Sequence, residues 1–476
     1  MSKETKSSEY NSNNAFIYNG WNGNVNNNNK FNSYSVRPVS DFQDETPSFQ
    51  NHVESMRVAY RNCLKNKSNT INAIHFRIDE EESLMKLCRA TYNREYIPKP
   101  SISFVILWPC PREVIAADFS DRIIQHWIVM RLEPLFEKYS VIPDQMYSCR
   151  VGKGNLAALQ ELRDRIFQVS EGYRKPCQVA KFDLSSFFMS IDKRRLYEEL
   201  IALIIDKYGE NDKDLLLYLV RITTLMTPVE RAVRRSPITE WENIPRKKSQ
   251  YYLDWFLGLA IGNLESQSDA NFYNAPAVRW LMSIRGLFVV NYVDDFALVA
   301  RDHQTIRDTI FCTEQYFRDE RGLTIHPTKR YEQSFDKGIK FLGGVVKFDR
   351  LYVNNRTVGK LEKKIWYYNT VYAGSHRLKM KHLERFVAII NSYFGLMKHF
   401  ATYNIRKREV AKILEYWKGY IYFSDDLTKA IIIKRFKRNE RYLQRVRAQR
   451  RRDMKSLKAF SNGNLFTNQK TGKGAE

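Results

Sequence analysis

Asp294 and Asp295 stand side by side in Asn291-Tyr292-Val293-Asp294-Asp295-Phe296, between two apolar runs. The runs, Gly286 to Val290 and Ala297 to Ala300, read as buried strands, so the acidic pair falls at the turn of a hairpin. Ionised carboxylates are costly to bury there unless positive charge balances them. Divalent cations such as Mg²⁺, which take hard oxygen ligands, would supply that charge. A solvated Asp-Asp turn accounts for the stretch equally well, and a third carboxylate elsewhere is what separates the two readings. Asp183 is the candidate, closing a short strand in Val179-Ala180-Lys181-Phe182-Asp183. Three carboxylates of this kind can hold two cations ~4 Å apart, which activate a 3′-hydroxyl and stabilise a leaving pyrophosphate. Phe188, a few residues on, would lie beneath the sugar of a bound nucleotide, where a bulky ring leaves no room for a 2′-hydroxyl. Phe187 reads as core.

The elements that must position these residues follow from periodicity. Asp44 to Tyr92 reads as helical around a basic loop at Arg61 to Lys67, and Asp121 to Phe136 as an amphipathic helix. Ser101 to Leu107 and Arg112 to Ile115 read as two strands joined at Pro109-Cys110-Pro111, which places Arg112 near a hairpin tip, where it could reach a triphosphate, although on this stretch alone a plain surface arginine is the simpler reading. In Ser148-Cys149-Arg150-Val151-Gly152-Lys153-Gly154, two glycines and two cations make a backbone able to approach phosphate, with Arg150 and Lys153 as the contacts, although such a loop is often a plain turn. Leu156 to Val169, Thr357 to Ala373 and His382 to Phe400 read as helices. Arg377, Lys379 and Lys381 form one basic edge and Arg406 to Arg408 another, suited to a duplex backbone. Lys434 to Lys458 reads as a basic helix for RNA contact, with Arg450 and Arg451 in its densest run.

The whole chain narrows the class. Its 476 residues suffice for two or three cored domains, and 77 Lys+Arg against 53 Asp+Glu leave a formal charge of +24. An excess of that size points to nucleic acid or an anionic surface. No apolar run reaches the roughly 18 residues of a membrane span, and the polar start lacks a signal-peptide core. The six cysteines are scattered without a C-x-x-C pair, which argues against zinc and against a disulfide framework. The expectation is a cytoplasmic, nucleic-acid-binding protein without membrane partners.

In order and spacing these motifs resemble a reverse transcriptase. Tyr292-Val293-Asp294-Asp295 is similar to that family's Y-x-D-D signature, and Asp183 with Phe188 to its preceding catalytic motif. Gly322 to Lys329 resembles its lysine-bearing segment, and Phe341-Leu342-Gly343-Gly344 its primer-grip hairpin. Gly258-Leu259-Ala260-Ile261-Gly262-Asn263-Leu264-Glu265-Ser266-Gln267 resembles, more narrowly, the I-G-N-L-x-S-Q form of diversity-generating retroelements. Pro109 to Asp121, Cys149 to Gly154 and Asn391 to Gly395 look like that group too, while Ala260 departs from its usual proline.

The resemblance, over roughly residues 50 to 420, implies an α+β right-hand polymerase: a disordered Asn-rich leader (1–50), fingers (51–178), a palm with antiparallel sheet (179–350, with an insertion at 205–257), a helical thumb (351–425) and a basic C-terminal helix and tail (426–476). It implies a bacterial or phage-encoded enzyme that copies a template-repeat RNA into cDNA from dNTPs, misincorporates opposite template adenines and serves targeted protein diversification. Implied partners are that RNA, the cDNA and a small basic accessory variability protein. Implied roles are Asp183 and Asp294 on two Mg²⁺ ions (or Mn²⁺) with Asp295 as third carboxylate. Arg112 and Lys329 fall at the triphosphate, Ile261 and Gln267 at the nascent base pair, and Gly343 and Gly344 at the primer.

The Asn-rich start, Gly20 to Lys30 above all, resembles a diversified target segment. Asn codons begin with two adenines, so adenine-directed error favours Asn at variable sites, and a template repeat overlapping this reading frame would account for the composition; a low-complexity polar tail would too. A phage-defence reverse transcriptase is the alternative within polymerases, separated by the absence of a template and variable repeat pair in the flanking DNA. A group II intron enzyme fits less well, because no zinc-like endonuclease or maturase segment follows the thumb. An RNA-binding scaffold without catalysis is the alternative outside polymerases, and the three carboxylates argue against it.

Overall fold

The computed structural model describes residues 14–19, 24–29, 46–65, 70–107, 110–348, 350–375 and 378–433. In chain order it begins with two antiparallel strands, β1 (Asn14–Asn19) and β2 (Asn24–Asn29). Disorder was the expectation for residues 1–50; a hairpin lies within them, and α1 (Pro47–Leu64) also begins there. The short apolar run Ala15-Phe16-Ile17-Tyr18 is the local signal that the Asn content obscures. Thr46 caps α1 by accepting from Phe49 N at 3.3 Å, and Pro47 suits the first helical position. Helix α1 continues through Arg61 to Leu64, where a basic loop was expected.

Then come α2 (Ile71–Ile78), α3 (Glu80–Tyr92), β3 (Ile102–Ile106), β4 (Arg112–Ala116), α4 (Phe119–Lys138) and α5 (Asn155–Val169). They are followed by β5 (Gln178–Asp183), α6 (Phe187–Ser190), α7 (Lys193–Lys207), α8 (Lys213–Leu225), β6 (Val233–Arg234), α9 (Ile238–Trp241) and α10 (Leu264–Met282). Strands β7 (Phe288–Tyr292) and β8 (Asp295–Ala300), helix α11 (His303–Arg321) and strand β9 (Tyr331–Ser334) complete the central layer. Beyond them lie β10 (Ile339–Phe341), β11 (Gly344–Lys347), β12 (Arg350–Val353), α12 (Asn355–Val371), α13 (Met380–Met397), α14 (Tyr403–Ala411), α15 (Glu415–Lys418), β13 (Ile421–Phe423) and β14 (Ala430–Ile432).

The chain divides into two compact units. The first holds residues 1–158 and 174–333, the second 159–173 and 334–476. In the first, a four-stranded sheet of order β7-β8-β5-β9 carries the central layer, with β8 antiparallel to both neighbours. Near-continuous apolar sequence in β8 reflects burial of both faces. Phe182 and Phe296 stack there at 4.8 Å between ring centres, with Phe317 of α11 edge-on to both. Asp302 caps α11 by accepting from Thr305 N at 2.8 Å, and Gly322 ends it in the left-handed conformation.

In the second unit, α12 and α13 pack through Leu361, Ile365, Tyr368, Phe386 and Ile390, with Trp417 of α15 wholly buried against them. Arg406, expected on a phosphate-facing edge, is buried instead; it donates to Thr402 Oγ1 at 2.8 Å and to the Asp426 carbonyl at 3.1 Å. Among the described residues no helix is long and apolar enough to cross a membrane. The expected basic helix from Lys434, with Arg450 and Arg451, lies outside the described residues, as does Arg377.

Candidate active site

Three carboxylates meet at one end of the central sheet. Pairing of β5 with β8 sets Asp183 directly opposite Asp295, and pairing of β7 with β8 sets Tyr292 opposite Asp295. Val293 and Asp294 therefore form the two-residue turn, and Asp294 falls beside the Asp183–Asp295 pair. The turn is held in an unfavourable form: Val293, a β-branched residue, has φ 57°. Its carbonyl compensates by accepting from Asn274 Nδ2 at 3.0 Å and from Asn291 Nδ2 at 3.1 Å. Both asparagines are buried and brace the turn from α10 and β7. The end of β5 is fixed as well, through Leu184 N to the Asp294 carbonyl at 3.0 Å and His326 N to the Asp183 carbonyl at 2.7 Å.

Crowding of like charge has a clear electrostatic effect. Burial, then the charges of Asp183 and Asp295, push the Asp294 carboxyl up to about 7. Two lysines offset the others. Lys329 Nζ lies 2.5 Å from Asp183 Oδ2, and this bond raises the lysine above its ordinary value. Lys181 Nζ lies 2.9 Å from Asp295 Oδ1. Lys181 has no place among the expected site residues, yet it sits two residues before Asp183 on the same strand face, diagonal to Asp295.

Hard oxygen donors and a carboxyl that burial leaves uncompensated fit divalent cations. Among the described residues no group of three His, Cys, Asp or Glu side chains is arranged to hold a metal ion as it stands: the three carboxylates adjoin, but Asp183 and Asp295 are each paired with a lysine.

The surroundings connect several expected residues. Phe187 is core and Phe188 is half-buried beside it. The loop 258–263 is tied to that helix: Leu259 N donates to the Phe188 carbonyl at 2.8 Å, and Gly258 N to the Ile191 carbonyl at 2.9 Å. It is tied equally to β4, where Ile115 N donates to the Ile261 carbonyl at 3.0 Å and Ala117 N to Asn263 Oδ1 at 3.1 Å. Gly262 has φ 117° and lies where an added Cβ would come within 3.0 Å of Val114, so this close approach requires glycine. Gln267 is exposed one turn into α10 and accepts from Cys149 Sγ at 3.3 Å, which links the start of α10 to the 149–154 loop.

Arg112 is exposed at the start of β4, opposite Ile106. Its neighbour Glu113 is buried and accepts from Trp241 Nε1 at 2.8 Å, Ser249 Oγ at 2.6 Å and Gln250 N at 2.8 Å. That carboxylate fastens residues 241–250 to the β3–β4 hairpin, a role without a local signal.

Two basic residues take other positions than expected. The Arg150 guanidinium donates to both oxygens of Glu137 and to the carbonyls of Pro143 and Met146, so its N–H groups are spent within the chain. Lys153 donates to the Asp144 carbonyl at 3.0 Å and packs over Tyr147. Leu342 and Gly343, both at positive φ, form the turn between β10 and β11. Gly344 follows, where a Cβ would meet Leu159 Cδ1 at 2.8 Å.

Residues 97–346 match the family model described as reverse transcriptase (RNA-dependent DNA polymerase). The chain belongs to that family. Its mixed helical and antiparallel-sheet architecture is the reverse-transcriptase fold. No curated protein sequence matches the chain. Among solved structures it is similar to a telomerase from Candida albicans in complex with a TWJ fragment of telomeric RNA. That match has 13% identity and a TM-score of 0.39, and covers 67% of this chain and 60% of the other. It is similar also to an apo telomerase from Candida tropicalis, at 10% identity and a TM-score of 0.40, covering 68% and 56%. The chain thus spans less than two thirds of these telomerases.

Proposed function

We propose that the chain is an RNA-directed DNA polymerase that extends a cDNA 3′-end with dNTPs on an RNA template. The observation that carries this reading is the register that sets Asp183 opposite Asp295 with Asp294 in the adjoining turn. Asp183 and Asp294 would hold the cations, and Asp295 adds the third carboxylate. Bound there, divalent cations supply the charge that activates the 3′-hydroxyl and stabilises the leaving pyrophosphate. Lys329 would orient or protonate that pyrophosphate, passing from Asp183 to the anion as the site fills. Arg112, exposed on β4, would meet the triphosphate, and Phe188 would exclude a 2′-hydroxyl.

Within this class we assign the chain to mutagenic copying, with errors opposite template adenines and a small basic accessory protein as partner. Support comes from the 258–267 segment, whose backbone is bonded to Phe188 and whose Gln267 is bonded to Cys149. From Ile261 to Gln267 that segment reads I-G-N-L-E-S-Q, which resembles the form found in diversity-generating retroelements. The Asn-rich leader supports the same assignment from composition.

Primer extension on a defined RNA with Mg²⁺ tests the chemistry. Asp294→Ala together with Asp295→Ala should cut extension by roughly 10³-fold or more while RNA binding survives. Extension that persists in this variant overturns the polymerase reading. Sequencing the wild-type cDNA tests the finer assignment: errors should concentrate opposite adenine, and an even spread overturns the mutagenic reading alone.

A further inference from the structure

Helices α4, α7, α8 and α10 line a partly open cavity of about 30 Å³ that the candidate active site does not use. Glu265 and Asp269, one turn apart on α10, face it, with Gln125 of α4 and Thr224 of α8. Asp269, Thr224 and Gln125 are 2%, 3% and 5% exposed. Gln125 Oε1, Thr224 Oγ1 and Asp269 Oδ1 have no hydrogen-bond partner in the protein, and all three are oxygens. Burying one unpaired polar atom costs about 1–3 kcal/mol, and here three face one small space. Glu265 has a single side-chain donor, Thr223 Oγ1, at 2.5 Å. Lys193 lies on the same wall but donates to the Met226 carbonyl at 2.7 Å. Burial pushes the Glu265 carboxyl up to about 8, and burial with the neighbouring Glu265 holds Asp269 well above the ordinary carboxylate range, so without a bound cation the wall retains protons.

We propose that this cavity binds one small monovalent cation, Na⁺ or K⁺, through Gln125, Thr224, Glu265 and Asp269. A cation satisfies unpartnered oxygens from several directions at once and takes the place of the proton that burial otherwise holds on the carboxyls. Mg²⁺ fits poorly, because it sheds water reluctantly and the cavity has room for roughly two water-sized occupants. Gly258, Leu259 and Ala260 also back onto the cavity, so the ion would brace the 258–263 loop from behind.

Thermal unfolding of the full chain without divalent cations, in NaCl, KCl and choline chloride at equal ionic strength, tests this. The Tm in Na⁺ or K⁺ should exceed that in choline by about 3 °C. Asp269→Asn and, should that variant fold poorly, Thr224→Val should each abolish the increment. Crystals soaked in thallium(I) should show an anomalous peak in the cavity. Equal Tm values in the three salts with no thallium peak overturn the proposal and leave water or a shared proton as the occupant. An increment that survives both substitutions overturns it as well.

Discussion

Asp294 is held among charges of its own sign, in a turn that also strains Val293. Such an arrangement costs stability and is retained only where something else requires it. Asp294→Asn removes one of three crowded carboxylates while keeping the side chain's shape. Without divalent cations at neutral pH, the variant should be more stable than wild type by about 1–3 kcal/mol. Urea unfolding measures this, and a variant less stable than wild type would show that charge repulsion does not govern the turn. Phe188 makes a second prediction at this scale. Its half-buried ring adjoins the backbone that binds the 258–263 loop, so Phe188→Ala opens space without touching the carboxylates. Ribonucleotide incorporation relative to deoxyribonucleotide should rise at least ~10-fold. An unchanged ratio in competition assays removes its role as a sugar gate.

At the scale of elements, the β3–β4 hairpin owes its placement to Glu113. Three donors from residues 241–250 converge on one buried carboxylate, and Arg112 projects from the next position along the same strand. Glu113→Leu leaves those donors unpaired and should cost about 3–5 kcal/mol; a loss under ~1 kcal/mol in chemical denaturation would show that water replaces the carboxylate. The convergence of Asp183, Asp294 and Asp295 was legible in the sequence, because flanking apolar runs specify two strands and a turn. Glu113 was not, because its partners lie more than a hundred residues away and nothing local announces them. Arg150 misled for the same reason. A glycine-rich basic loop reads as a phosphate cradle until the fold brings Glu137 and two carbonyls to its guanidinium. Lys181 was within reach, since period-2 alternation places it on the face of Asp183. A lysine on a half-buried strand reads as solvated unless its diagonal partner across the ladder is considered.

For the whole molecule the governing quantity is charge. A formal +24 is spread unevenly, and the run from Lys434 to Lys458 is its densest part. Several basic groups of the described residues are spent internally: Arg150 on Glu137, Arg406 on Thr402 and the Asp426 carbonyl, Lys329 on Asp183. Template affinity should therefore lean on the C-terminal run more than the total charge suggests. Phosphate contacts release counterions, so affinity falls with salt in proportion to their number. A chain ending at Ile433 should bind a generic RNA at least ~10-fold more weakly at about 0.1 M salt, with a shallower slope of log affinity against log salt. Folding of residues 46–433 should be unaffected, since the described residues supply extensive buried cores of their own. Equal affinity and an equal salt slope, measured by filter binding of both chains, would place the RNA footprint on the described units and relieve Arg450 and Arg451 of any role in it.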